Sequence, residues 1–496
     1  MGLAIFALVV PRINPPAEFS AAFDWKSFSE PAKAISGSPT FVEVTAYQVP
    51  DNSYDYRYWS NSYVSSAVPL SYKPSDGIAL VKELRSVDFA QGPVSLSLKG
   101  VSAHIDPTSL HLADVSGATT VLEQNYDYDL VSAEKLLDKY VDSQISISKG
   151  NDTATGILIS PNGPILQTSN GIKVFSAYDA LSFPTIPEGF VTKPTITWLL
   201  NSNNAGKRDI QVSYLTSGIN WNADYVAVAN SGDSALSLQA WVSLRNDAGV
   251  TFKDAKLKLV AGDINLVQRN GYPSPTAMYD MAYGASQKQF SEQAFFEYHL
   301  YTLERPTTIS SGQVKQIEMA SAGGVGAKKE YVFDSGSQSY YSSSRSSGKV
   351  SVKLSFKNSE ANGLGIPLPK GKVRVYKADA DGQLEFVGED LIDHTPKDET
   401  VRLTLGNAFD IVGERAQTDT QRIGNCANRY SYDIALRNHK EEDVTVKVVE
   451  HSYGEWEIIK ESAEHDKESS TQFSWSVPVK ADGEATLTYT IENRWC

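Results

Sequence analysis

Residues 218–228, GINWNADYVAV, decide the fold. Side chains of a β-strand alternate between two faces, so this stretch separates into Ile219, Trp221, Ala223 and Tyr225 on one side and Asn220, Asn222 and Asp224 on the other. The first set suits a core and the second suits water. Burying Trp221 and Tyr225 removes enough apolar surface from water to stabilise a sheet by several kcal/mol, at about 25 cal/mol per Å². The stretch therefore reads as a core strand.

The same alternation surrounds it. DIQVSYLTSG, LSLQAWVSLRN and DAKLKLVAG are consecutive strand-like runs separated by polar turns, and Trp241 in the second is read as a further core residue. Upstream, IALVKELRSVDF and PVSLSLKGV form two strands around the turn Ala90 to Gly92, and ISISKG, TGILIS, GPILQT and GIKVFSA form four short strands with Gly turns. Only VSAEKLLDKYV, residues 131–141, has helical spacing, with Ser132 placed to cap and Glu134 in the first turn. KVSVKLSFKN, a hairpin turning at Asp379 to Gly382, and ETVRLTL continue the β pattern. The last eighty or so residues contain five alternating runs whose inward residues include Tyr430, Tyr432, Ile434, Leu436, Ala485, Leu487, Tyr489 and Ile491, together with Trp456 and Trp475. These read as an immunoglobulin-like sandwich.

The fold class expected is all-β, a multi-domain sandwich or barrel protein with one short helix near 132–141. The 496 residues exceed one ordinary core. The pattern divides them into an N-terminal arm, 1–76; a β domain with the helix, 77–195; a central sandwich, 196–415, with insertions at 268–294 and 334–348; and the C-terminal sandwich, 416–496. The arm is rich in Pro, Ser and aromatics and has strand character at TFVEVTAYQV. Phe41, Tyr47, Tyr54, Tyr56 and Tyr58 would line an extended segment that either packs on its own chain or adds a strand to a neighbouring subunit.

Composition limits function. A net charge of −14 with 41% hydrophobic residues describes a folded acidic protein and argues against sequence-independent nucleic-acid binding, which needs clustered Lys and Arg. Two cysteines exclude a thiolate-rich zinc site and leave one candidate disulfide, Cys426 to Cys496. The opening MGLAIFALVV is too short for a membrane helix and incomplete as a signal peptide, and no transmembrane segment is expected elsewhere.

Chemistry-bearing motifs are absent from the sequence. There is no Gly-x-Ser-x-Gly elbow, His-Glu-x-x-His or phosphate-binding loop. His104, His111, His299, His394, His439, His451 and His465 lack metal-ligand spacing. Asp379, Asp381 and Gly382 resemble the start of a calcium loop but continue wrongly, and a polar hairpin tip explains them. Asp127 and Asp129 precede the helix and are better explained as its lead-in than as an acid–base pair; a hydrolase would have to use these two or Glu123. No catalytic residue, metal or cofactor is assigned.

Several segments carry a resemblance: VLEQNYDYDLVSAEKLLDKY, PTITWLL, SYLTSGINWNADYVAV, DAKLKLVAGDIN, FFEYHLYTLERPTTI, GLGIPLPKGKVRVYKAD and LRNHKEEDVTVKVVEHSYGEWEI. In wording and order, from about 77 to 492, they resemble the bacterial secreted family called domain of unknown function 4139, whose relatives include proteins named mucoidy inhibitor A. The resemblance implies an all-β exported or envelope protein without an established activity, and supplies no catalytic residues. The resulting expectation is a non-enzymatic structural or interaction protein of the cell envelope or extracellular space. Its partner would be protein, the chain itself included, as an oligomer or filament. The alternatives are a carbohydrate or surface-ligand binding module, and a hydrolase with an unrecognised site.

Overall fold

In the computed structural model the strand Ile219–Ala229 runs antiparallel to Ala235–Asn246 and parallel to Gly371–Ala378, with Trp221 opposite Leu244 and Tyr225 opposite Val373. The structure describes residues 32–35, 37–48, 76–187, 190–262, 264, 289–337, 346–379 and 381–494. Nearly every element among them is a strand, and the α-helix is Ala133–Lys139. The all-β expectation holds.

The chain divides into two compact units, each discontinuous: residues 1–42 with 82–214, and residues 43–81 with 215–496. The four segments drawn from sequence do not coincide with these units. Pairing between distant strands, rather than composition along the chain, sets the boundaries.

In the first unit a sheet has the order Lys33–Ala34, Gly92–Lys99, Thr195–Ser202, Thr119–Asp127, and Trp198, opposite Leu96, is fully buried in it. A second sheet orders Gly171–Val174, Ile165–Thr168, Asp152–Ser160, Gln144–Lys149 and Ala180–Ser182, the four short strands expected from their Gly turns plus one more. Against it sits the helix, whose first turn is capped by Ser132 Oγ accepting from the Lys135 N–H (3.3 Å). Leu137 and Tyr140 pack on Ile145, Ile147, Ala154, Leu158 and Leu166. The Tyr140 hydroxyl donates to Thr185 O at 2.6 Å, which satisfies the polar end of a buried ring.

In the second unit a long sheet follows the order Leu384–Ile392, Gly371–Ala378, Ile219–Ala229, Ala235–Asn246, Gln313–Asp334, Ser346–Lys357, Thr400–Ile423, Ala427–Asn438, Gly483–Arg494, Glu455–Glu461. Its first seven strands curl until the two outermost meet. The Thr404 N–H donates to Asp390 Oδ2 at 2.6 Å, and a β-carbon on Gly388 would collide with the Leu405 carbonyl. That close approach requires glycine. The sheet is thereby rolled nearly into a barrel. Tyr225 secures it from inside: its buried hydroxyl donates to Pro369 O (2.7 Å), and Tyr301 does the same to Pro367 O (3.0 Å).

The last strands of this sheet and those paired alongside them make a layered C-terminal body. Val444–His451 pairs with Gln472–Val479 and, in parallel, with the end of Gln313–Asp334. Its core joins Phe333, Val350 and Ile411 to Ile434, Leu436, Trp475, Leu487, Tyr489 and Ile491. Phe333, Val350 and Ile411 come from before residue 416, and the strand Thr400–Ile423 passes through the boundary drawn there.

Phe41–Tyr47 belongs to the folded body. It pairs in parallel with Lys256–Val260, from Glu43 opposite Lys256 to Tyr47 opposite Val260, and the Lys258 ammonium meets Glu43 at 2.8 Å. Within the segment drawn as an arm, this strand is covered by its own chain. Tyr54, Tyr56 and Tyr58 lie outside the described residues, as do most of the insertion at 268–294 and the middle of that at 334–348.

Candidate functional site

At one end of the curled sheet the hairpin Ile219–Ala229 to Ala235–Asn246 turns through ANSGDSA. Asn230 Oδ1 accepts from the Ser234 and Ala235 N–H groups (2.9 and 3.2 Å), and Asp233 takes a left-handed conformation, φ 52°. Aspartate tolerates that conformation better than most residues with a β-carbon. The turn holds the Asp233 carboxylate between two ammonium groups, Lys329 Nζ at 2.7 Å and Lys377 Nζ at 2.5 Å. Burial alone would raise the pKa of Asp233, but hydrogen bonds and charge from Lys329 and Lys377 outweigh it and hold the carboxyl below its usual range. Burial likewise disfavours the charged form of Lys329, whereas the Asp233 hydrogen bond and Tyr331 reverse the sign and raise it. A third lysine, Lys440, donates to Glu442 Oε1 at 2.9 Å and lies 5.7 Å from the centre of the Tyr331 ring.

These lysines border a groove. Its cavity volume is about 230 Å³, and its walls are Ala229, Val352, Leu354, Val375, Val387 and Leu405, with Ala408 and Phe409 at the edge. Phe409 is 95% exposed. An apolar concavity with a few convergent polar groups is the usual form of a small-ligand site, and the mouths of rolled sheets are common places for one. None of the three lysines or Asp233 stood out in the sequence. Residues 233, 329, 377 and 440 lie on different elements, and only strand pairing brings them together.

A second polar centre lies in the C-terminal body. Arg415 grips the buried Glu450 through Nε (2.8 Å) and Nη2 (3.1 Å), and its guanidinium lies 3.8 Å from the centre of the Tyr432 ring. Nearby, Trp475 Nε1 donates to Glu461 Oε2 (2.9 Å), and Phe473, Trp475 and Tyr489 form an aromatic cluster in which Phe473 meets Trp475 edge to face. Each charge here has a partner inside the fold, so this centre holds the two layers together.

The residues expected to build the core separate by burial. Trp221, Tyr225 and Trp475 are fully buried. Trp456 is half-buried at the rim, its ring 4.6 Å from Phe473. Trp241 is not in the core: it is half-buried opposite Asp224, on the outer face, while Leu236, Leu238, Ala240, Val242 and Leu244 point inward. Among the carboxylates before the helix, Glu123 accepts from Asn125 (2.7 Å), Asp127 from Thr197 (3.3 Å) and Asp129 from Lys135 (2.6 Å), so each faces its own local donor. The histidines are likewise separate, with His299 on Glu292, His451 on Asp334 and His465 on Glu461. No group of metal-ligating side chains converges among the described residues. Asp379 Oδ1 accepts from the Asp381 and Gln383 N–H groups, as a hairpin tip requires. Cys426 carries no free thiol, and Cys496 lies outside the described residues. No helix among the described residues is long and apolar enough to cross a membrane.

Comparison with protein families places one model on residues 210–496, more than half of the chain. The chain belongs to the family described as Domain of unknown function (DUF4139). The DUF4139 match begins inside the strand Gly206–Ser217 and contains every residue of the lysine-lined groove, whereas the sequence resemblance was drawn from residue 77. The family description names no activity. None of the curated proteins compared matches the chain.

Proposed function

We propose that this chain is an exported protein of the cell envelope or extracellular space that acts by binding rather than catalysis, associating with further copies of itself through an open sheet edge. The observation that supports this reading is the strand Gly171–Val174. It is the outermost strand of its sheet, its four residues are all exposed, and Ile172 and Val174 are each 68% accessible. Ile157 and Ile159, two strands away, are also exposed, at 45% and 43%. Edge strands in soluble proteins ordinarily carry charge or are covered, because an open apolar edge is a template for another strand. Here the only charge on the strand, Lys173, is engaged by Asp152 (3.1 Å).

The test is light scattering and electron microscopy over a concentration series on the full chain, on the Ile172→Lys/Val174→Lys variant, and on a chain lacking residues 1–31. That truncation spares Phe41–Tyr47, a strand of the sheet. Ordered oligomers that shrink in the lysine variant support the reading, and loss of assembly in the truncated chain as well would identify the N-terminal segment as the donated strand. Monomers at every concentration, or oligomers indifferent to the edge variant, would sink it.

A further inference from the structure

We infer that the groove at the open end of the curled sheet binds a small amphipathic carboxylate, a short apolar body with one anionic head. This is independent of edge pairing: a protein that never self-associates could still have the site.

Charge gives the first reason. The chain carries −14 overall, yet the groove lining contains three lysines and one carboxylate. Asp233 balances one of its two lysines and leaves the other in excess. The carboxylate paired with Lys440 is Glu442, whose side chain is 67% exposed and lies outside the lining. An exposed pair of this kind contributes little, about 0 to 1 kcal/mol, so an arriving carboxylate can replace Glu442 at small cost. The aromatic face of Tyr331, which lies 5.3 Å from Lys329 Nζ and 5.7 Å from Lys440 Nζ, keeps both ammonium groups at the mouth.

Shape gives the second. Below the ammonium groups the walls are aliphatic, from Val352, Leu354, Val375 and Leu405, and offer nothing to a polar body such as a sugar. The volume, about 230 Å³, falls under the roughly 300 to 1,000 Å³ of ordinary ligand pockets. It limits the buried part of the occupant to a medium-length alkyl chain or a bicyclic ring, with any further substituent left in the open mouth. Phe409, almost wholly exposed at the rim, is placed to fold over such a body.

The experiment uses the full chain and the fluorescence of 1-anilinonaphthalene-8-sulfonate, displaced in parallel by decanoate and by decanol. Decanoate should displace the dye with at least about tenfold greater affinity than decanol, the margin of a hydrogen bond to a charged group. Lys440→Met should remove that preference while leaving decanol unaffected, and Val352→Trp, which sets an indole on the groove wall, should abolish saturable displacement by both. Thermal unfolding of each variant establishes that it is folded. Equal competition by decanol and decanoate, or a Lys440→Met protein that still prefers decanoate, would overturn the assignment.

Discussion

Gly413 lies against the face of the Phe333 ring so closely that a β-carbon at position 413 would overlap the ring carbons. Phe333 is wholly buried between the two layers of the C-terminal body and has nowhere to retreat. Gly413→Ala should therefore destabilise the protein by about 1 to 3 kcal/mol, the usual range for overpacking a core. Equilibrium unfolding in urea measures it, and a change under about 0.5 kcal/mol would mean that the layers can separate to admit a methyl group.

Arg415 and Glu450 should show the asymmetry of a buried ion pair. Glu450 is 1% exposed, and removing its guanidinium partner leaves an uncompensated carboxylate. Arg415→Ala is expected to cost about 3 to 5 kcal/mol, whereas a double variant, Arg415→Met with Glu450→Leu, should recover much of the loss. Denaturant midpoints for the two proteins and the parent decide the point.

Trp221 and Trp241, one turn of a hairpin apart, should respond differently to truncation. Trp221→Ala empties a fully buried site and should cost about 3 to 5 kcal/mol. Trp241 lies half-buried on the outer face, and Trp241→Ala should cost about 1 to 2 kcal/mol. Equal losses in urea unfolding would place both rings in one core.

The lysine–aspartate turn predicts a two-sided pH dependence. Asp233 has its folded pKa lowered, so its contribution is full above the ordinary carboxylate value of about 4 and disappears as pH falls through the folded value. Lys329 has its folded pKa raised, so its contribution is full below about 10.4 and disappears as pH climbs through the folded value. Asp233→Asn should lower stability by about 1 to 3 kcal/mol near neutrality. The gap from the parent should close toward both pH extremes, and thermal melts from pH 3 to 11 would show it. A gap independent of pH would assign the loss to turn geometry instead of charge.

The contrast between these sites shows what the chain reveals before it is folded. The two faces of Ile219–Ala229, the Ser132 cap and the Asp379 to Gly382 hairpin follow from local rules, and each was legible. Trp241 was misplaced by size. The parity of its strand, with leucines, valine and alanine at the even positions, assigns it to the same face as Asp224, and bulk is a weaker guide than period. The groove was invisible because its lysines share no spacing, and the contact of Gly413 with Phe333 because a glycine in a strand announces no neighbour.

The pairing of Phe41–Tyr47 with Lys256–Val260 governs the order of events in biosynthesis. A ribosome releases the first of these strands long before the second exists, and the second unit joins residues 43–81 to 215–496, whereas every residue of the first unit lies before 215. The second unit cannot close on the fly. Loop entropy must be lost before such distant partners reward one another, so this unit should fold slowly and should start only after most of the chain has emerged. The interval leaves β-rich segments uncovered, so the unfinished chain is more vulnerable to aggregation than the folded one.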